Sequence, residues 1–144
     1  MGVLSNIKED LQTRLQALQY SSNPAFTEVK KYGSQKFTGY PSATVVASAV
    51  NNEYDTQKQN NREYVVFIRA FFNLENIDDE AQYVIADNYT DLILDAIDDS
   101  EDLNGLCDFV EPTVAEEPRP IIDEAGSTLM ITIRVSCRAT HDIE

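Results

Sequence analysis

Residues 62–73 read Arg-Glu-Tyr-Val-Val-Phe-Ile-Arg-Ala-Phe-Phe-Asn, and apolar side chains fill both alternating sets of positions. Successive side chains of a β-strand point to opposite faces, so this stretch predicts a strand that is apolar on both faces. The residues of one face are Val66, Ile68, Ala70 and Phe72. The residues of the other face are Val65, Phe67, Arg69 and Phe71. Helices can bury one face, and the second face needs a cover from the same chain or from another subunit.

Residues 127–138 read Ser-Thr-Leu-Met-Ile-Thr-Ile-Arg-Val-Ser-Cys-Arg and alternate more simply. The apolar set is Leu129, Ile131, Ile133, Val135 and Cys137. The polar set is Thr132, Arg134, Ser136 and Arg138. This alternation predicts a strand with one buried face and one wet face, on which Arg134 and Arg138 are available to acidic neighbours.

The remaining elements follow from helical spacing and from the positions of proline and glycine. The predicted helices cover residues 5–18 and about 78–97, and the other predicted strands lie at 42–50 and, more weakly patterned, within 26–32 and 106–119. We therefore predict an α+β fold (a two-layer α/β arrangement) in the order α-β-β-α-β-β. Its antiparallel or mixed sheet has about four to five strands, with two helices packed on one face.

The predicted domain organisation is a single domain over residues 1–144. Residues 51–61 are polar and lack periodicity, which predicts a protruding polar loop, with a long hairpin arm as the alternative. Residues 139–144 are expected to form a flexible C-terminus.

The net charge of −14 restricts the classes of partner. Binding to nucleic-acid phosphates requires clustered Lys and Arg, so broad contact with DNA or RNA is disfavoured, and so is an anionic membrane surface. The sequence has no apolar run of transmembrane length.

No arrangement of residues typical of catalysis or cofactor binding stands out, and we predict neither enzyme activity nor a metal or cofactor site. The acidic run after Asp98 departs from a calcium loop, because Leu103 replaces the turn glycine and Phe109 replaces the final glutamate. His141 is the single histidine, and Cys107 and Cys137 are too far apart for zinc spacing. Two buried thiols are favoured over a disulfide for these cysteines.

The spare apolar face of the 62–73 strand favours assembly with another subunit. The predicted interface residues are Val65, Phe67, Arg69, Phe71, Tyr54, Arg134 and Arg138. On this interpretation, Phe71→Asp weakens self-association more than it unfolds the monomer.

The order of elements resembles that of the tail terminator (tail completion) proteins of tailed bacteriophages. An N-terminal amphipathic helix precedes Phe-Thr-Gly-Tyr-Pro at 37–41 and a small-residue strand, and a polar loop leads to Tyr-Val-Val-Phe-Ile-Arg-Ala-Phe at 64–71. Next comes a helix that ends in Leu-Ile-Leu-Asp-Ala-Ile at 92–97. The order is completed by an acidic turn and by the final strand, Leu-Met-Ile-Thr-Ile-Arg-Val, at 129–135. The resemblance covers nearly the whole chain and rests on pattern and order.

The resemblance implies a structural virion protein in the tail or neck, assembled in the host cytoplasm. Such proteins form a ring, commonly a hexamer, on the last ring of the tail tube, where they end tube growth and dock the head or neck. The implied partners are further copies of the chain, the tail tube protein and a head–tail connector or neck protein. The loop at 51–61 would then reach a neighbour or the tube, and DNA would pass through the lumen without specific binding.

Two other interpretations stay open from the residues. A different phage component, such as a head–tail connector, a neck protein or a tube component, would share the architecture and differ in partner. A small acidic enzyme or ligand-binding domain would instead show a closed pocket with clustered carboxylates.

Overall fold

The structure is a computed structural model that describes residues 2–34, 36–54, 59–74, 79–99, 103, 105–123 and 126–142. The helices of the described part are α1 (Val3–Ala17) and α2 (Glu80–Asp98). Its short strands are β1 (Gln19–Tyr20), β2 (Asn23–Pro24) and β3 (Glu28–Lys30). Its long strands are β4 (Ser42–Tyr54), β5 (Gln59–Leu74), β6 (Phe109–Asp123) and β7 (Gly126–Asp142).

Strands β3 to β7 form one mixed sheet in the spatial order β3-β4-β5-β7-β6. Strand β3 runs parallel to β4, and every other neighbouring pair in this sheet is antiparallel. Strands β1 and β2 form a separate two-stranded ribbon. The α+β class predicted from the sequence is confirmed. The predicted order α-β-β-α-β-β omits the β1–β2 ribbon and β3, since five strands separate the two helices in the described structure.

Strand β5 lies at the centre of the sheet and is paired along both edges. Its pairing with β7 runs from Gln59 opposite Asp142 to Leu74 opposite Ser127. On its other edge, β4 pairs with it from Ser42 to Tyr54, with an irregularity between Ala47 and Ala49. The strands predicted at 42–50 and 62–73 are thus antiparallel neighbours, and the strand that is apolar on both faces is paired along both of its edges.

One hydrophobic cluster joins both helices to one set of alternating strand residues. The helices contribute Ile7, Leu11, Leu15, Ala86, Tyr89, Ile93 and Ile97. Strand β5 contributes Tyr64, Val66, Ile68, Ala70, Phe72 and Leu74, and β7 contributes Leu129, Ile131, Ile133, Val135, Cys137 and Ala139. The three- and four-residue spacing of the helical set brings these side chains to one side of each helix, as the sequence pattern predicts.

Tyr89 of α2 fixes the helix layer to the segment that follows β2. Its ring packs against Tyr20, Phe26 and Phe72. Its hydroxyl donates a 2.5 Å hydrogen bond to the carbonyl oxygen of Ala25. Burial raises the pKa of Tyr89 to about 12, so the phenol stays neutral and keeps this hydrogen bond at any physiological pH.

The outer side of α2 carries carboxylates at successive turns. Asp87, Asp91 and Asp95 are exposed and four residues apart, and residues 80–98 contain no Lys or Arg. Like charges at this spacing destabilise a helix by about 0.2–0.5 kcal/mol per pair. The helix is therefore held by its buried side, including Ile93 and Ile97, and not by its surface charges.

Two predicted segments are corrected by the strand pairing. Residues 51–54 continue β4 and residues 59–61 belong to β5, so the predicted 51–61 loop is a hairpin arm whose tip lies outside the described residues. The predicted flexible 139–144 segment is paired as β7 through Asp142, and its last two residues lie outside the described part. In both cases polar side chains lack a burial period, while the backbone is held by cross-strand hydrogen bonds.

We expect Ile131→Asp to unfold the protein, because it places an unpaired carboxylate inside the hydrophobic cluster. The loss should exceed about 3 kcal/mol, against about 0.5–1.5 kcal/mol for the matched control Ile131→Val. Urea unfolding followed by circular dichroism measures both values. A soluble, folded Ile131→Asp protein of near wild-type stability would refute the placement of this strand face in the core.

Candidate interaction surface

The strand residues that alternate with the hydrophobic cluster form a second face of the sheet, which we call the open face. From β4 it includes Ser42, Thr44 and Val46, and from β5 Glu63, Val65, Phe67, Arg69 and Phe71. From β7 it includes Met130, Thr132, Arg134, Ser136 and Arg138, and from β6 Phe109, Glu111, Thr113, Glu116 and Arg119. Residues directly opposite each other across antiparallel strands share a face, so the register defines this set.

Part of the open face is covered by the chain itself. Phe71 is 2% exposed and Val65 is 3% exposed. The Phe37 ring lies 5.1 Å from the Phe71 ring, centroid to centroid, and the ammonium of Lys30 lies 5.1 Å from the Phe37 centroid. The expectation that Val65 and Phe71 are left uncovered for a partner subunit is therefore wrong, because a ring from the β3–β4 connection covers Phe71 and both side chains are already buried.

The other predicted interface residues are partly or fully accessible. Phe67 and Arg69 are half-buried, and the Arg69 guanidinium lies 5.1 Å from the Phe67 ring centroid, a cation–π geometry. Arg134 is half-buried and Arg138 is exposed. Tyr54 ends β4, and its side chain lies outside the described part of the chain.

The face of β7 that was predicted to be exposed to solvent is more buried than its sequence indicates. Thr132 and Ser136 are buried because β7 has a long neighbour on each side. The Thr132 hydroxyl donates to the Glu116 carboxylate on β6 at 3.1 Å, and the Ser136 hydroxyl donates to Glu63 on β5 at 2.6 Å. Only the arginines of this face remain accessible to a partner within the stretch from Thr132 to Arg138.

Glu63 is the centre of a polar network that the sequence interpretation missed. Besides Ser136, the Asn51 amide donates to its carboxylate at 3.1 Å. The guanidinium groups of Arg134 and Arg138 lie 3.8 and 3.7 Å from the same carboxylate. The hydrogen bonds from Ser136 and Asn51, followed by the two arginines, lower the pKa of Glu63 against the opposing effect of burial. The strand register places Glu63 opposite Arg138, and this pairing is the feature that would have indicated the network.

A groove crosses the open face beside this network. It has a volume of about 590 Å³ and lies between Gly33 and Ser34 on one side and Glu116 and Arg119 on the other. Arg69 and Arg119 give it positive charge, while Phe71 and Met130 form an apolar floor. Within the described residues, neither arginine has a carboxylate within 4.0 Å.

The far end of the sheet is a polar arm, which we define as residues 51–54, 59–63 and 138–142. Its strands are cross-linked by side chains. The Arg62 guanidinium donates to the Asn52 amide oxygen at 2.9 Å, and the Thr140 hydroxyl donates to the Asn61 amide oxygen at 3.0 Å. With the Asn51–Glu63 hydrogen bond, these contacts stiffen a ribbon formed by β4, β5 and β7.

Features of other classes of site are few in the described part of the chain. No group of three or more His, Cys, Asp or Glu side chains is placed there to hold a metal ion. None of its helices is long and apolar enough to cross a membrane. Cys107 and Cys137 are both buried and form no disulfide, and the hydrogen bond that the Cys137 thiol donates to Cys107, together with burial, raises the pKa of Cys137.

We expect Glu63→Gln to lower stability at pH 7 by about 1 kcal/mol, the scale of a partly exposed charged hydrogen bond. Because the folded pKa of Glu63 lies below its ordinary value of 4.5, ionised Glu63 stabilises the fold above that pH and loses this effect as pH falls through the folded pKa. The stability gap between wild type and Glu63→Gln should therefore shrink below about pH 4.5. Urea titrations across pH measure it, and a gap that stays constant to about pH 3 would contradict the network.

The covered position of Phe71 reverses the sequence-based expectation for Phe71→Asp. This substitution should destabilise the monomer by more than about 3 kcal/mol, since it removes a buried ring and buries a carboxylate. Phe67→Asp, on the same face and half-buried, is the matched control and should cost clearly less. Thermal unfolding of both variants tests this, and equal losses would show that Phe37 does not protect Phe71.

The fold and the polar surfaces described above are the basis for any functional conclusion, because no protein-family model matches this chain and no curated protein sequence matches it.

Proposed function

We propose that this protein is a structural component of a phage tail, a ring-forming terminator that caps the tail tube. In this role it ends tube growth and presents a docking surface to a head–tail connector or neck protein. The observation that carries the proposal is the polar arm, which, apart from Ala139, extends the sheet beyond the residues of the hydrophobic cluster. The cluster residues of β4 are Ala43 and Val45, so residues 51–54 lie well beyond the part of the strand that packs in the core.

The arm has properties suited to contact with another protein. Its amide side chains (Asn51, Asn52 and Asn61) each combine donors with an acceptor, and cross-strand hydrogen bonds hold them in place. Ordering the ribbon in advance reduces the entropy lost on binding. The order of elements, which resembles that of tail terminators, makes the tail tube protein the expected partner of this ribbon.

The proposed ring, expected to be a hexamer, also has to let DNA pass. The net charge of −14 repels phosphates and disfavours adhesion of DNA to the ring wall. The protein would therefore act in the virion, at the junction of tail and neck, after assembly in the host cytoplasm. Its contribution is a shape and a set of contacts, with no reaction assigned to it.

We expect wild-type protein to form rings at the ends of tubes assembled from the tail tube protein of the same particle, as seen by negative-stain electron microscopy. Replacing residues 54–60 by Asn-Gly, a two-residue hairpin turn, shortens the arm while leaving the hydrophobic cluster intact. This variant should fold with wild-type cooperativity and fail to cap tubes. Gln16→Ala, on the exposed side of α1, is a matched control that should cap normally.

Two results would contradict the proposal. Tubes without terminal rings in the presence of excess wild-type protein would exclude a terminator. Capture of the wild-type chain by portal or adaptor protein, with no retention by tube protein, would instead assign it to the head–tail connector. If the shortened variant caps tubes, the protein is still a terminator, but the arm is not needed for capping.

A further inference from the structure

Charge is divided unevenly along the chain. Residues 70–118 contain 15 of the 25 acidic residues and none of the 11 basic residues. The remainder carries 11 basic and 10 acidic residues, so the whole excess of negative charge belongs to one continuous segment. That segment includes α2 and most of the edge strand β6.

On α2 the charges form an ordered line, which we call the aspartate stripe. It consists of Glu80, Val84, Asp87, Asp91, Asp95 and Asp98, all exposed and spaced three or four residues apart. Val84 is 52% exposed, an apolar side chain set among carboxylates. In the described part of the chain no Lys or Arg lies within 4.0 Å of the carboxylates of this stripe. Among the described residues, no basic side chain pairs with these carboxylates to offset the repulsion along α2.

The groove on the open face offers the opposite charge. Arg69 and Arg119 line it above the apolar floor of Phe71 and Met130, and they outnumber its one lining carboxylate, Glu116, which accepts a hydrogen bond from Thr132. Within the described residues no carboxylate lies within 4.0 Å of either arginine. The open face alternates with the strand residues that share a cluster with the buried side of α2. The groove and the aspartate stripe therefore lie on different sides of the molecule and cannot meet within one copy.

The spacing of the charges is compatible. Arg69 lies opposite Thr132 on β7, and Arg119 lies opposite Met130, so they are two strands and two residues of register apart. With strands about 4.8 Å apart and about 3.3 Å per residue, this separation is roughly 12 Å. Asp87 and Asp95, eight residues apart on a helix that rises 1.5 Å per residue, are also roughly 12 Å apart.

The edges of the sheet are poor sites for a second copy. Edge strand β6 contains Pro112, Pro118 and Pro120, which lack the N–H needed for a ladder, and its register with β7 is irregular at two places. The opposite edge is β3, with only three residues, and beyond Thr44 it is β4, whose register with β5 shifts between Ala47 and Ala49. Prolines and β-bulges both make an edge less able to pair with another strand, so contact through a face is favoured over growth of the sheet from copy to copy.

We propose that the groove of the open face binds the aspartate stripe of a second copy of this chain. Arg69 and Arg119 pair with carboxylates from Asp87, Asp91 and Asp95, and Val84 meets the apolar part of the groove. The contact is head-to-tail, because each copy uses the groove toward one neighbour and the stripe toward the other. Such contacts give a ring when the rotation between neighbouring copies closes and an open filament when it does not. This inference rests on the proposed ring and assigns its subunit contact.

The test reverses charge on each surface separately. One variant combines Asp91→Arg with Asp95→Arg, and the other combines Arg69→Glu with Arg119→Glu. Analytical ultracentrifugation at low ionic strength should show self-association of wild type, weakened by added salt because the contact is ionic. Each variant alone should associate at least about 100-fold more weakly, since like charges then face each other.

An equimolar mixture of the two variants supplies the matched control. The Asp91→Arg, Asp95→Arg copy then presents arginines on both surfaces and its partner presents carboxylates on both, so association should return with copies alternating. The aspartate variant should also melt no lower than wild type, because it removes repulsion along α2, and this result excludes misfolding as the cause of lost association.

Each other outcome overturns the inference. Variants that associate as strongly as wild type place the subunit contact elsewhere, while rings at tube ends would still support the terminator. A mixture that stays monomeric shows that the two surfaces do not meet. A wild-type protein that stays monomeric at low salt also rejects this docking, whereas the proposed function is decided separately by capping of tubes. If the aspartate stripe binds tube protein and no second copy of the chain, the stripe is assigned to tube protein instead.

Discussion

The pairing of β5 along both edges is the constraint on which the rest of the molecule depends. A strand paired on both sides has no free backbone groups, so its only remaining requirement is burial of its two apolar faces. The helices satisfy one face through a single hydrophobic cluster. The second face is satisfied in two ways: by Phe37 at Phe71, and at the other end by the hydrogen bonds and ion pairs that gather around Glu63.

The two faces of β5 are covered in different ways, and this difference explains which surfaces of the protein a partner can contact. The sheet face that belongs to the hydrophobic cluster is covered by the helices within one copy, and the outermost surface on that side is the charged surface of α2. On the open face Val65, Phe71, Thr132 and Ser136 are buried, whereas Arg69 and Arg119 line a groove. The polar arm continues the same sheet with side chains that, apart from Ala139, the core does not use. A rigid sheet thus places three different surfaces at fixed positions relative to one another.

Sequence periodicity was sufficient for the parts of the fold that pack in the core. The helices, β5 and β7 were predicted because each has a regular set of buried positions, such as Ile131 and Ile133. Residues 51–61 were predicted as a loop, with a hairpin arm only as the alternative, because the arm residues are polar on both faces and are held by backbone pairing. Phe37 and Glu63 were missed since their partners are distant in sequence: Phe71 follows Phe37 by 34 positions, and Ser136 lies 73 positions from Glu63. Such contacts depend on register, which a single strand pattern does not contain.

The position of β7 has a consequence for synthesis of the protein on the ribosome. This strand is the last in chain order among the described elements, yet it lies between β5 and β6 in the sheet. Until it has emerged, β5 has one unpaired edge and the helices lack the β7 part of the strand surface that they cover. The nascent chain therefore holds an incomplete, aggregation-prone sheet until β7 has left the ribosome, and completion of the sheet is expected to be slowed by these long-range pairings.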